Sequence, residues 1–235
     1  MTYTGDVRPG GPVGVRELDE VVVRKLAVGP MANNAYLLTC RRSGAQLLVD
    51  AADEPDRLAD LLHDASPAAR LDLVVTTHQH ADHHRGLASV VALTGAPVAA
   101  GDADADAIAA ATGVAVQRRL RHGDTLTVGH LVLEVVALRG HTPGSVAVAY
   151  REPEHVRAEG SVAGRVHLLT GDSLFPGGVG ATGGDEERFT ALLRDVVERL
   201  FDRFGDDTWV YPGHGADTTL GVERPHLDEW RTRGW

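Results

Sequence analysis

Seven residues of this 235-residue chain have the types and spacing of metal ligands. His78, His80, Asp82 and His83 are packed into the run Thr77-His78-Gln79-His80-Ala81-Asp82-His83, and His141, Asp172 and His214 follow at wide intervals. Imidazole and carboxylate donors suit zinc, iron or manganese, and no thiolate lies nearby to narrow the choice. His78 and His80 are two apart, so on an extended or turning segment both rings project to one side, as two nitrogen ligands of one ion require. Asp82 and His83 are then free to face a second ion. The competing reading is a solvated loop in a chain with 12 histidines, and the downstream segments argue against it.

Each ligand-type residue follows an apolar, strand-like run. Leu71-Asp72-Leu73-Val74-Val75-Thr76-Thr77 is short and β-branched, so it reads as a buried strand, and the histidine cluster sits at its C-terminal end. Val132-Leu133-Glu134-Val135-Val136-Ala137-Leu138 leads into a tight turn presenting His141. Val166-His167-Leu168-Leu169-Thr170 leads into Gly171-Asp172, and Trp209-Val210-Tyr211 into Pro212-Gly213-His214-Gly215. Sheets flanked by helices bind ligands at such strand ends, where loops hang from a rigid frame.

The remaining pattern predicts strands near 20–28, 34–41, 46–50 and 114–117, two more within 124–138 broken at Gly129, and others at 145–151 and 165–170. Helices are predicted over 54–65, 82–94 and 102–111, the last with aspartates at its start where the helix dipole favours negative charge. A longer helix is predicted over 186–204, its apolar residues recurring at helical spacing to form core. The polar 152–164 segment reads as an exposed hairpin tip. Two halves of strands followed by helices give an α/β fold, a four-layer αββα sandwich in a single domain over 1–235, with a Gly/Pro-rich tail over 1–14 expected to fray.

Composition limits the partners. A net charge of −10 argues against nucleic-acid binding, and the one short basic stretch, Gln117-Arg118-Arg119-Leu120-Arg121, has no interleaved aromatic residue for base stacking and reads as a solvated face. Cys40 is the single cysteine, so no intrachain disulfide forms; it reads as a small buried strand residue, and a reducing cytoplasm is the expected compartment. The N-terminus lacks the pattern of a signal peptide, and the longest uncharged stretch, 87–101, is too short and interrupted for a membrane span.

The histidine run and the strand-end residues resemble the metallo-β-lactamase superfamily of hydrolases, specifically its small glyoxalase II-like members, from about Asn33 to His214. The resemblance implies the same αββα sandwich. It implies a first ion held by His78, His80 and His141, a second held by Asp82, His83 and His214, and Asp172 bridging the two. Asp50, ending Gln46-Leu47-Leu48-Val49-Asp50, matches an aspartate that supports the metal loop. Related branches differ at key positions: the β-lactamases proper have cysteine in place of Asp172, and the flavodiiron branch has glutamate in place of His80. Glyoxalase II itself carries a basic, cysteine-containing segment soon after the bridging aspartate and a long helical C-terminal region with glutathione contacts. Here Pro176-Gly177-Gly178-Val179-Gly180-Ala181-Thr182-Gly183-Gly184 has no basic residue, and 21 residues follow His214.

The function this implies is hydrolysis of a thioester or ester of a small-molecule substrate, with hydroxyacyl thioesters as the specific form. Two divalent ions, zinc first with iron or manganese as alternatives, would lower the pKa of a shared water towards about 7 and supply a hydroxide nucleophile. Asp82 is assigned both as a ligand and as the catalytic group that orients and deprotonates the water. Tyr36 and Phe175, next to segments that reach the site in relatives, are the candidate substrate-binding residues. The alternatives are a mono-iron persulfide dioxygenase using His78, His141 and Asp172, a lactonase or ribonuclease of the same superfamily, or a non-catalytic metal-binding scaffold.

Overall fold

The computed structural model describes residues 3–66 and 70–234. The β-branched runs pair into two stacked sheets. The first has seven strands in chain order: β1 (Gly14–Glu17), β2 (Val21–Val28), β3 (Asn33–Cys40), β4 (Gln46–Val49), β5 (Leu73–Thr76), β6 (Val98–Gly101) and β7 (Arg118–Leu120). Pairing is antiparallel as far as β4 and parallel from there to β7. Parallel neighbours need crossovers, and α1 (Pro55–Ala65), α2 (Leu87–Thr94) and α3 (Ala105–Thr112) supply them.

The second sheet contains β8 (Thr125–Val128), β9 (Leu131–Ala137), β10 (Val146–Arg151) and β11 (Val166–Gly171). After a small hairpin of β12 (Leu174–Phe175) and β13 (Gly178–Val179) and the helix α4 (Glu186–Val196), it is completed by β14 (Trp209–Pro212) and β15 (Thr218–Thr219). Its spatial order is β15-β14-β11-β10-β9-β8. Two short helices, α5 (Leu220–Glu223) and α6 (Leu227–Arg233), close the chain.

Adjacent residues face different layers, which is the signature of four layers. Leu38, Leu47 and Val135 pack between the sheets. Their neighbours Leu37 and Leu48 pack outward with Leu58, Leu61 and Leu62 of α1, while Val136 packs outward with Leu192 and Val196 of α4. Each such leucine or valine stabilises the fold by about 1.5–3 kcal/mol through burial. The loops after β4, β5, β9, β11 and β14 therefore leave a rigid double sheet and meet at one edge.

Several expectations are corrected. The helix expected over 82–94 starts at Leu87; Ala81–His83 form a 3-10 turn, and the amides of Arg85 and Gly86 donate to Ala52 and Ala51 instead of continuing a helix backwards. The strand expected over 114–117 lies at Arg118–Leu120, within the basic stretch; its arginines are exposed, as expected of a solvated face, and Arg119 and Arg121 pair there with Asp102 and Asp106. The helix expected over 186–204 is α-helical to Val196 and then makes a π turn over Val197–Phe201.

The 152–164 tip is tied down, because the Asp19 carboxylate accepts from the amides of Arg157 and Ala158. Residues 3–14 are seated rather than frayed: the Tyr3 hydroxyl donates to Asp217 at 2.8 Å, Lys25 Nζ to Gly5 O at 2.6 Å, and Arg57 to Gly11 O at 2.6 Å. Residues 1 and 2 of that tail lie outside the described residues. Cys40 is buried, and among the described residues no helix is long and apolar enough to cross a membrane.

Candidate metal centre

The seven ligand-type residues converge on one spot. Among the described residues, three groups could each hold an ion, with donor atoms all within 4.8 Å of one another: His78, His80 and His141; His78, His83 and Asp172; and Asp82, His83 and His214. In the first group His80 Nδ1 lies 2.9 Å and His78 Nε2 3.3 Å from His141 Nε2. In the third, Asp82 Oδ2 lies 3.4 Å from His214 Nε2 and 3.6 Å from His83 Nε2. Asp172 stands between them, with Oδ1 3.3 Å from His83 Nε2 and Oδ2 3.4 Å from His214 Nε2 and 3.6 Å from His141 Nε2.

The other ring nitrogen of four histidines is engaged by a fixed partner, which sets the ring orientation and turns Nε2 inward. His141 Nδ1 faces Ala181 O at 2.7 Å, His214 Nδ1 faces Met31 O at 2.9 Å, His83 Nδ1 faces Asp50 Oδ2 at 2.9 Å, and His78 Nδ1 faces Thr77 Oγ1 at 3.1 Å. Asp50 is the hub of the first loop, since it also accepts from the amide and hydroxyl of Thr77 at 2.7 and 2.8 Å. It holds a left-handed backbone, φ 60°, unusual for a residue with a Cβ and kept in place by these bonds.

Asp104 joins the loops that carry His78, His80 and His141. Its buried carboxylate accepts from the Gln79 amide at 2.9 Å, the Thr142 hydroxyl at 2.6 Å and the Gly144 amide at 2.7 Å. Two glycines let the backbone come close enough: a Cβ on Gly213 would collide with Asp172 Oδ1, and one on Gly180 with Asp172 O. The His214 loop is held by Asn34 Nδ2, which donates to Pro212 O and Gly215 O.

Burial holds His78 well below the ordinary histidine value, and it lowers His80 and His141 in the same direction. For His83 burial opposes the charged ring, but the Asp50 and Asp172 carboxylates outweigh it and push the ring up to about 10. Burial also opposes ionisation of Asp172, yet His214 and His83 hold its carboxyl well below the usual range. Asp82 is lowered too, burial being outweighed by the Asn33 hydrogen bond and His83. Two ionised carboxylates among five imidazoles, with Asp172 Oδ1 buried and without a hydrogen-bond partner, are a donor set that fits divalent cations.

The two expected substrate residues part company. Tyr36 is 2% exposed in the core between the sheets, its hydroxyl donates to Pro212 O at 2.7 Å, and its ring meets Tyr211 edge-on at 5.6 Å. Its side chain alternates onto the inter-sheet face of β3, so it cannot touch a substrate in this state. Phe175 is half-buried, with its ring centroid 6.4 Å from that of His214. Three neighbours of the centre went unread in the sequence: Asn33, Met31 and Asp104. Asp104 follows a strand end, as the ligands do, but its position suggested a helix-dipole residue; its side chain makes no cap bond to α3.

Comparison with known proteins points to one family. The model of one family, described as the metallo-beta-lactamase superfamily, matches residues 28–215. A protein named hydroxyacylglutathione hydrolase from Polaromonas sp. is 31% identical over 198 residues, which cover 83% of this chain and 66% of that protein; the chain thus spans slightly less than two thirds of that relative. Among solved structures, TTHA1623 in a di-iron-bound form is 32% identical with a TM-score of 0.62, covering 85% of this chain and 96% of that one. ETHE1 from Myxococcus xanthus is 26% identical with a TM-score of 0.67, covering 87% and 82%.

Proposed function

Because this chain belongs to the metallo-β-lactamase superfamily of hydrolases, we propose that it is a two-ion hydrolase that cleaves a thioester or ester, with hydroxyacyl thioesters as its substrate class. The observation that carries the two-ion reading is the placement of Asp172, whose Oδ2 lies between His141 of the first group and His214 of the other, with Oδ1 beside His83. In this reading His78, His80 and His141 hold one ion, Asp82, His83 and His214 the other, and Asp172 touches both. Zinc is the first choice, with iron or manganese as alternatives. When bound, the ions lower the pKa of a water to about 7 and polarise the substrate carbonyl.

The chain's own residues do the rest. Asp82 is held ionised, and its free lone pairs orient the attacking water and take its proton. Asp50 and Asp104 keep the ligand loops in register before substrate arrives, so reorganisation costs little at the moment of reaction. Phe175 and the exposed side chain of Met31 flank His214 and offer an apolar wall to the acyl or thiol part of the substrate. That wall favours an uncharged thiol as leaving group. The mono-iron dioxygenase, using His78, His141 and Asp172, is the second reading; that branch shares the histidine run, so metal count and metal identity separate the two rather than the ligand residues.

The test is thiol release from hydroxyacyl thioesters of glutathione and of a small uncharged thiol. Cleavage of both, with the uncharged one at least as good, is expected. Release from neither would overturn the assignment.

A further inference from the structure

The carboxamide of Asn33 is fully buried, yet it lies among the donors of the Asp82, His83 and His214 group. Its Nδ2 is 2.9 Å from Asp82 Oδ2, 3.3 Å from His214 Nε2 and 3.5 Å from His83 Nε2. Those three atoms are themselves within 4.8 Å of one another. Donors sharing one zinc-sized ion at bonds of about 2.0–2.1 Å stand about 3.3 Å apart on a tetrahedron. The carboxamide therefore stands at donor-to-donor spacing from this group, and Asn33 Oδ1, at the other end of the side chain, is buried with no hydrogen-bond partner.

We infer that Asn33 is a further ligand of the second ion, presenting its carbonyl oxygen to it. Rotation about the Cβ–Cγ bond exchanges the two ends of a carboxamide without changing its shape. Without a cation, the amide donates to Asp82 Oδ2, and Nδ2 points inward toward His83 and His214. A cation among those residues repels the NH2 end and attracts the oxygen; the flip exchanges the bond to Asp82 for the bond to the cation and gives up none at the far end, where Oδ1 has no partner. Histidine and carboxylate sites accept neutral carbonyl oxygens as additional hard donors. The added ligand leaves the charge of the site unchanged while filling a position that would otherwise go to water.

This inference rests on the two-ion reading, and metal titration separates the two. Chelator-treated wild type, Asn33→Ala and Asn33→Asp are titrated with cobalt(II) under anaerobic conditions, following heat and the visible absorption bands, with circular dichroism as the check on folding. Wild type is expected to take up two ions. Asn33→Ala should bind the first ion as wild type does and the second about 10–100-fold more weakly, with bands shifted toward lower coordination number. Asn33→Asp, which keeps an oxygen at that corner, should restore the second affinity and the wild-type bands.

A wild-type protein that binds one ion overturns the two-ion reading itself. Two ions with unchanged affinity and bands in Asn33→Ala overturn the role of Asn33 alone. Loss of the second ion in Asn33→Asp as well as in Asn33→Ala also overturns it, because a carboxylate cannot donate to Asp82 and the amide would then act as the donor that positions that residue.

Discussion

In the proposed reading Asp82 serves two tasks with one carboxylate, and its neighbourhood suits both. Before an ion binds, the Asn33 amide at 2.9 Å and the nearby His83 keep it ionised despite partial burial; with an ion bound, the cation would do so, leaving one lone pair to hold it and another to receive a proton. Asp82→Asn preserves the shape and removes the charge. We predict that this variant retains a bound ion in the His78, His80 and His141 group while turnover falls by about 10²–10⁴-fold, the usual range for a lost general base. Elemental analysis beside steady-state kinetics checks it; normal turnover at full metal content would take the proton-handling role away from Asp82. That the seven ligand-type residues come together was readable at this scale because each cluster follows an apolar strand run and brings its own chemistry. Asn33 and Asp104 were not, because their meaning lies in contacts to residues 49 and 25 positions away that no local pattern announces. Tyr36 misled for the opposite reason: nearness in sequence to a site-facing segment says nothing about which face of β3 a side chain takes.

At the scale of elements, the His141 loop is pinned by α4. Asp195, 1% exposed on that helix, accepts from the Arg139 amide at 3.1 Å and from its guanidinium at 2.9 Å twice, two residues before His141. Arg188, also on α4, donates to Gly140 O at 2.8 Å and to His141 O. Burial opposes ionisation of Asp195, but the Arg139 bonds prevail and lower its carboxyl. A carboxyl lowered by folding contributes stability that is fully present above the unfolded value near 3.8 and is lost as pH falls through the folded value. Asp195→Asn should therefore destabilise the protein at neutral pH by about 1–3 kcal/mol and reduce the difference from wild type progressively below about pH 4. Denaturation midpoints across pH measure this; a difference that grows in acid would contradict it. The longer strands and the four longer helices were legible from period and composition, while the short β1, β12, β13 and β15 and the helices α5 and α6 were not. The early end of the 82–94 helix was not, because tertiary hydrogen bonds to Ala51 and Ala52 override its helical propensity, and the π turn after Val196 leaves no local signature.

Across the whole molecule, the double sheet delivers five loops to one edge, and the ions, in the proposed reading, lock those loops together. Metal that binds only the folded chain stabilises it by mass action, about 2.7 kcal/mol for each site at a free concentration 100 times its Kd. Chelation is predicted to lower the melting temperature reversibly, and an unchanged melting curve would mean that the ligand loops are held without metal. The sandwich was legible because the strand runs came in two halves and the resemblance covered most of the chain. The seating of residues 3–14 was not, since it depends on Lys25, the single lysine of the chain, meeting Gly5, Gly215 and Asp217 from three parts of the sequence. The proposed function has this centre, with two ions held by its residues, hydrolyse a thioester. Its most direct test is to purify the protein without added metal or chelator, count metals per chain by elemental analysis, and assay the same sample on a hydroxyacyl thioester. About two ions per chain with thioester cleavage is the predicted result; about one iron, no cleavage and oxygen uptake on a persulfide would contradict it.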